Sequence, residues 1–145
     1  MVNHLIMKKL LVVSFILLAA LACKKKEFSP EGPTDVRIRN LSDQTFQEVV
    51  VGTSEKPEDI DTLGIVTKGG VTDYFRYTKA YPKAEITVKI NVEGSLTTFT
   101  TGPVNYTYLN YIGQDRITFE VYISSMKNRE LTINNVVLDE PLVVK

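Results

Sequence analysis

The 145-residue chain carries 17 basic and 17 acidic residues, one histidine, one cysteine and no tryptophan. A lone cysteine excludes an internal disulfide, and with His4 at the very start, Ser-His-Asp and Cys-His catalysis and metal sites built on imidazole or thiolate are excluded from the rest of the chain. From Asp35 onward 12 basic residues face 15 acidic ones, which leaves no cationic stripe for a phosphate backbone, so nucleic acid is not an expected partner.

The first element is a leader. Lys8 and Lys9 precede the 13-residue apolar run Leu10–Ala22. That run would rise only about 20 Å as a helix, too little for a hydrocarbon core of about 30 Å. A positive n-region, a short apolar h-region and small residues before a cut describe a signal peptide over residues 1–22, starting at Met1 or at Met7. An unlipidated leader or a buried core helix would leave the lone Cys23 unexplained. Ala19-Ala20-Leu21-Ala22-Cys23 resembles the lipobox of bacterial lipoproteins. The resemblance implies cleavage between Ala22 and Cys23, alkylation of the Cys23 thiol by a diacylglyceryl group and acylation of the freed amine by fatty acids such as palmitate. At about 0.8 kcal/mol per buried methylene, two or three chains make the attachment effectively permanent.

Residues 23–33 read as the lipidated cysteine and a flexible tether, because Pro30, Gly32 and Pro33 disfavour helix and sheet. Lys24, Lys25 and Lys26 either meet anionic headgroups or form a solvated charge run. The lack of aspartate at position 24 resembles outer-membrane lipoproteins, and Lys26-Glu27 resembles part of the surface-export patch of Bacteroidota. The expected location is therefore the outer membrane, on either face.

From Thr34 the apolar pattern has period two. Val36 and Ile38 alternate with Arg37 and Arg39; Ile86, Val88, Ile90 and Val92 alternate with polar partners; so do Ile117, Phe119, Val121 and Ile123. Successive strand side chains point to opposite faces, so each apolar set forms one stripe against a core. Further strands are expected at Thr45–Thr53, Thr62–Val66, Val71–Lys79, Ser95–Thr101 and Glu130–Leu138. Glu93-Gly94 predicts a tight hairpin, and Lys68-Gly69-Gly70, Gly113-Gln114-Asp115 and Lys127-Asn128 predict other reversals. The expected fold is all-β: an antiparallel β-sandwich over 34–145, immunoglobulin-like or transthyretin-like in style, with seven to nine strands. A small β-barrel is the alternative. Leu142-Val143-Val144 reads as a last edge strand or a tail.

Three constellations invite a chemical reading. Glu55, Glu58, Asp59 and Asp61 suggest a carboxylate pair or calcium loop, but the glycine and distal glutamate of a calcium loop are missing, so a solvated acidic loop is expected. Tyr74, Tyr77, Tyr81, Tyr106, Tyr108 and Tyr111 suggest a ligand or partner patch if they converge on one solvent-facing surface. Against that, tyrosine also packs well inside sandwiches, and Phe75 is the expected core member of its segment. Asp61-Thr62-Leu63 resembles the O-glycosylation sequon of Bacteroidota, which implies a glycan on Thr62. Asn40-Leu41-Ser42 and Asn105-Tyr106-Thr107 read as turn residues.

Taken together, Thr34-Asp35-Val36-Arg37-Ile38-Arg39-Asn40, Tyr74-Phe75-Arg76, Ala80-Tyr81 and Tyr111-Ile112-Gly113 resemble small Bacteroidota outer-membrane lipoproteins, a family without an assigned activity. The expectation is a non-enzymatic interaction or structural module of the cell envelope, held to the membrane through its lipid and contacting an envelope protein, with no cofactor and no metal. The alternative is a surface lipoprotein that binds a glycan or small ligand through the tyrosines.

Overall fold

A computed structural model describes residues 29–141. The leader, Ala22, Cys23, Lys24–Lys26 and Leu142–Val144 lie outside the described residues. Eight strands follow in chain order: β1 Thr34–Asn40, β2 Glu48–Gly52, β3 Ile60–Thr62, β4 Phe75–Tyr77, β5 Glu85–Val92, β6 Ser95–Thr100, β7 Arg116–Ser125 and β8 Glu130–Leu138. One 3-10 turn, Pro57–Asp59, precedes β3. Among the described residues no helix is long and apolar enough to cross a membrane.

The strands form one sheet in the order β3-β2-β5-β6-β8-β7-β1-β4, curled until it is nearly closed like a barrel. The all-β class and the strand number are as the alternation predicts. The sheet is mixed, however, where antiparallel pairing was expected: β1 runs parallel to β7, and β6 parallel to β8. The reason is physical. Alternation reveals which face a residue occupies, and it reads identically in either chain direction.

Two four-stranded halves share the core. Val49, Val51, Ile86, Val88, Ile90 and Phe99 come from β2, β5 and β6; Val36, Ile38, Ile117, Phe119, Val121 and Leu131 come from β1, β7 and β8. Each fully buried branched or aromatic side chain contributes about 1.5–3 kcal/mol, enough for a core without disulfides. Between the halves the sheet continues through a single backbone pair, Thr100↔Glu130. The hairpin at Glu93-Gly94 forms as expected, with both residues at positive φ (51° and 84°), the conformation that matches a two-residue turn to strand twist.

Three strands are shorter than the sequence suggests. Phe46↔Val66 and Arg39↔Val71 survive only as isolated bridges beyond β2, β3 and β4. The intervening chain is held instead by Asn40, whose Nδ2 donates to Gln44 O at 2.7 Å and Val66 O at 3.2 Å while its Oδ1 accepts from Ser42 N at 2.8 Å. A buried amide side chain thus takes over hydrogen bonds that a longer ladder would have made.

Candidate functional site

The acidic segment is the first correction. Glu55 and Glu58 are exposed as a solvated loop requires, but Asp59 is completely buried. The 3-10 turn aims its carboxylate inward, across the open side of the sheet, at the residues that follow β4. Oδ1 accepts from Thr78 N at 2.6 Å and Thr78 Oγ1 at 2.9 Å; Oδ2 accepts from Ser54 Oγ at 2.6 Å. Thr53 Oγ1 donates to Lys79 O at 2.8 Å beside it. Asp59, with Thr53 beside it, therefore ties the segment before β3 to the segment after β4, joining the two edge strands that the ladder leaves apart. Among the described residues no three metal-ligating side chains come together.

The six tyrosines divide among different environments. Tyr77 is the second correction: it is fully buried in the core, and its hydroxyl has no hydrogen-bond partner. Phe75, expected there, is only partly buried against that core. Burial drives the Tyr77 hydroxyl far above its ordinary pKa, with Asp61 and Asp59 adding to the effect.

Tyr74 stands between two guanidinium groups, Arg37 at 4.6 Å and Arg116 at 4.9 Å from its ring centre. These cations are already engaged. Arg37 Nε donates to Thr118 Oγ1 at 2.8 Å and its Nη2 lies 3.4 Å from Asp139, while Arg116 Nε lies 3.4 Å from Asp35. Asp35, 5 % exposed, also receives both Nε and Nη2 of Arg76 at 2.7 and 3.0 Å. Burial raises the Tyr74 pKa, and a hydrogen bond to Asp139 adds to the rise.

Tyr81 and Tyr106 are brought together, with ring centres 5.0 Å apart and planes tilted by 33°. They line an open cleft of about 750 Å³ with Glu55, Asn105 and Leu109. Tyr106 is fixed by donating its hydroxyl to Gly52 O at 3.1 Å, and burial raises its pKa. Lys79 Nζ lies 5.8 Å from the Tyr81 ring centre and 3.2 Å from Glu31, whose hydrogen bond raises the lysine pKa. Tyr108 and Tyr111 are exposed on the loop after β6. Thr62 is exposed on β3, with its backbone opposite Val50.

Sequence reasoning missed Asp59 and Asn40 as fixed points. Ser54, one of Asp59's partners, stands five positions before it, a spacing that marks no buried carboxylate. Nothing local marks its other partner, Thr78, nineteen positions away.

No protein-family model and no curated protein matches the chain. Among solved structures it is similar to an NMR structure of a protein from Eubacterium rectale, at 15% identity, covering 75% of this chain and 95% of that one, with a TM-score of 0.45.

Proposed function

We propose that the chain is a lipid-anchored protein of the outer membrane whose β-domain is a non-catalytic interaction or structural module, contacting an envelope protein. Its anchor is Cys23, set directly behind Leu10–Ala22. The observation that carries the non-catalytic reading is the engagement of the two most buried carboxylates: Asp59 is surrounded by hydroxyl and amide donors, and Asp35 by Arg76 and Arg116. A general acid or base needs a carboxyl group that can reach substrate. These two are spent on holding strands together.

Cell fractionation with a Cys23→Ala variant tests the reading. Wild type is expected in the membrane fraction and the variant in the soluble exported fraction; a variant that stays with the membrane as wild type does would sink the anchor. Proteinase treatment of intact cells then separates the two faces of the outer membrane.

A second reading, binding of a glycan or small ligand, is supported by one observation, the Tyr81–Tyr106 cleft. Paired rings beside Asn105 and Glu55 offer an apolar face with polar groups at its rim, the arrangement that a sugar ring fits. Glycan-array binding that is lost on Tyr81→Ala and kept on Tyr74→Ala supports it; no binding, or equal loss in both variants, contradicts it. The exposure of Thr62 is compatible with a glycan there, which a mass difference between wild type and Thr62→Ala would reveal.

A further inference from the structure

The segment that leads into the domain docks at one end of it. Ser29 O accepts from Gln114 Nε2 at 2.9 Å, Glu31 pairs with Lys79 at 3.2 Å, and Pro30 O approaches Gly113 so closely that an added Cβ there would lie 3.2 Å away. Strand register identifies this end. Thr34 faces Tyr77 and Asp35 faces Arg116, so β1 and β7 begin here and β4 finishes here; Thr53 Oγ1 donates to Lys79 O just beyond, which brings the end of β2 and, through Gly52↔Glu85, the start of β5 to the same end. The Glu93-Gly94 hairpin lies at the far end of β5.

Residues 101–115 form a connection without strand or helix that starts beside β8 and reaches the same end, where Tyr106 donates its hydroxyl to Gly52 O, Ile112 N donates to Ala80 O and Thr34 Oγ1 donates to Gly113 O. Irregular connections longer than about 12–15 residues are uncommon in compact domains unless they serve a function. Its tip is a turn closed by Leu109 N donating to Tyr106 O at 3.1 Å. Tyr108 on that turn is 92 % exposed, and Tyr111 farther along is 44 % exposed.

We propose that this end of the domain rests on the lipid surface, with Tyr108 and Tyr111 in the headgroup layer; the proposal rests on the reading of Cys23 as the anchor. Only residues 24–28 separate Cys23 from Ser29, a reach of about 20 Å even when fully extended. Headgroups fill about 6 Å of that span. The gap that remains is thinner than a small protein domain, whose radius of gyration alone is about 13 Å, so lipid rather than a globular partner meets this end. Tyrosine suits such a layer because its ring is apolar and its hydroxyl polar, and Lys24, Lys25 and Lys26 in the same span favour an anionic leaflet. The hairpin at Glu93-Gly94 then points away from the membrane and is the end offered to envelope partners.

The test uses the full lipidated chain in vesicles of phosphatidylethanolamine and phosphatidylglycerol containing a lipid with a nitroxide on its headgroup. Lipidation consumes the Cys23 thiol, so Tyr108→Cys provides the single site for a fluorophore, Thr107→Cys a second position on the same turn, and Ser95→Cys a control at the far end. Loss of most of the emission at positions 108 and 107, with emission at 95 preserved, is the expected result. Equal quenching at both ends, or stronger quenching at 95, overturns the proposal. Two reactive thiols in Tyr108→Cys, with protein that does not co-float with vesicles, overturns the anchor reading itself and is distinguishable from a lipidated chain with the wrong end down.

Discussion

The two half-sheets are joined on one side by backbone and on the other by side chains, Asp59 foremost. At Thr100↔Glu130 the join is one residue pair between exposed positions, where water can replace what is lost. At Asp59 it is a fully buried carboxylate held by Ser54, Thr78 and the backbone around them. The difference shows where fold specificity resides. A backbone seam is available to almost any residue, whereas the Asp59 seam depends on one residue type, and removing that residue leaves the buried Ser54 hydroxyl and the part-buried Thr78 donors unpaired at once.

The largest expected effect is therefore at Asp59. Asp59→Ala should destabilise the domain by about 4 kcal/mol, since hydrogen bonds to a charged acceptor are worth about 1.5–3 kcal/mol each and their donors are left unpaired. Asp59→Asn should cost about half as much. Urea unfolding measures both, and a loss below about 1 kcal/mol for alanine would remove the distinction between the seams.

Next comes Asp35→Ala, which leaves the guanidinium groups of Arg76 and Arg116 without their shared carboxylate. Breaking a fully buried pair costs about 3–5 kcal/mol; the Arg76 side chain is 45 % exposed, so about 2 kcal/mol is expected here. A cost equal to that of Asp59→Ala would show that counter-charge, rather than hydrogen-bond donors, decides how strongly a buried carboxylate is needed.

Tyr77→Phe should work in the opposite direction. The buried hydroxyl has no partner, so its removal should stabilise the domain by about 1 kcal/mol. The same variant sharpens the behaviour in alkali. Folding raises the Tyr77 pKa, so the folded state keeps a proton that the unfolded state releases above about pH 10. Stability from this group is complete below that pH and declines as pH rises through it, by about 1.4 kcal/mol per unit. Tyr77→Phe should flatten that decline; an unchanged alkaline slope would assign it to other groups. The smallest effect is expected at the backbone seam, where Thr100→Ala should change stability by no more than about 0.5 kcal/mol.

Much of the fold was legible in the sequence because it depends on alternation. β8 coincides with the segment Glu130–Leu138, β6 starts at Ser95 as expected, and Glu93-Gly94 makes its turn. Strand direction and partner were not legible, since β1 and β7 are brought together from positions about eighty residues apart. The burial of Tyr77 was available but overlooked: positions 75 and 77 have the same parity, so a strand that turns Phe75 toward the core turns Tyr77 toward it as well. Asp59 was not available. Its role depends on Thr78, which comes within reach only after the sheet has curled. For the same reason the tyrosines could be counted in the sequence but not sorted into the cleft that Tyr81 and Tyr106 share and the separate surroundings of Tyr74 and Tyr77.

These polar groups join the apolar core in holding the domain together, and the proposed role in the envelope depends on where the domain is held. Intact mass measurement of the protein extracted from membranes tests that dependence most directly. The account predicts a chain that begins at Cys23 and carries the added mass of a diacylglyceryl group and an amide-linked fatty acid, both absent from Cys23→Ala. A chain that retains residues 1–22, or one that begins at another residue with no lipid mass, would contradict it.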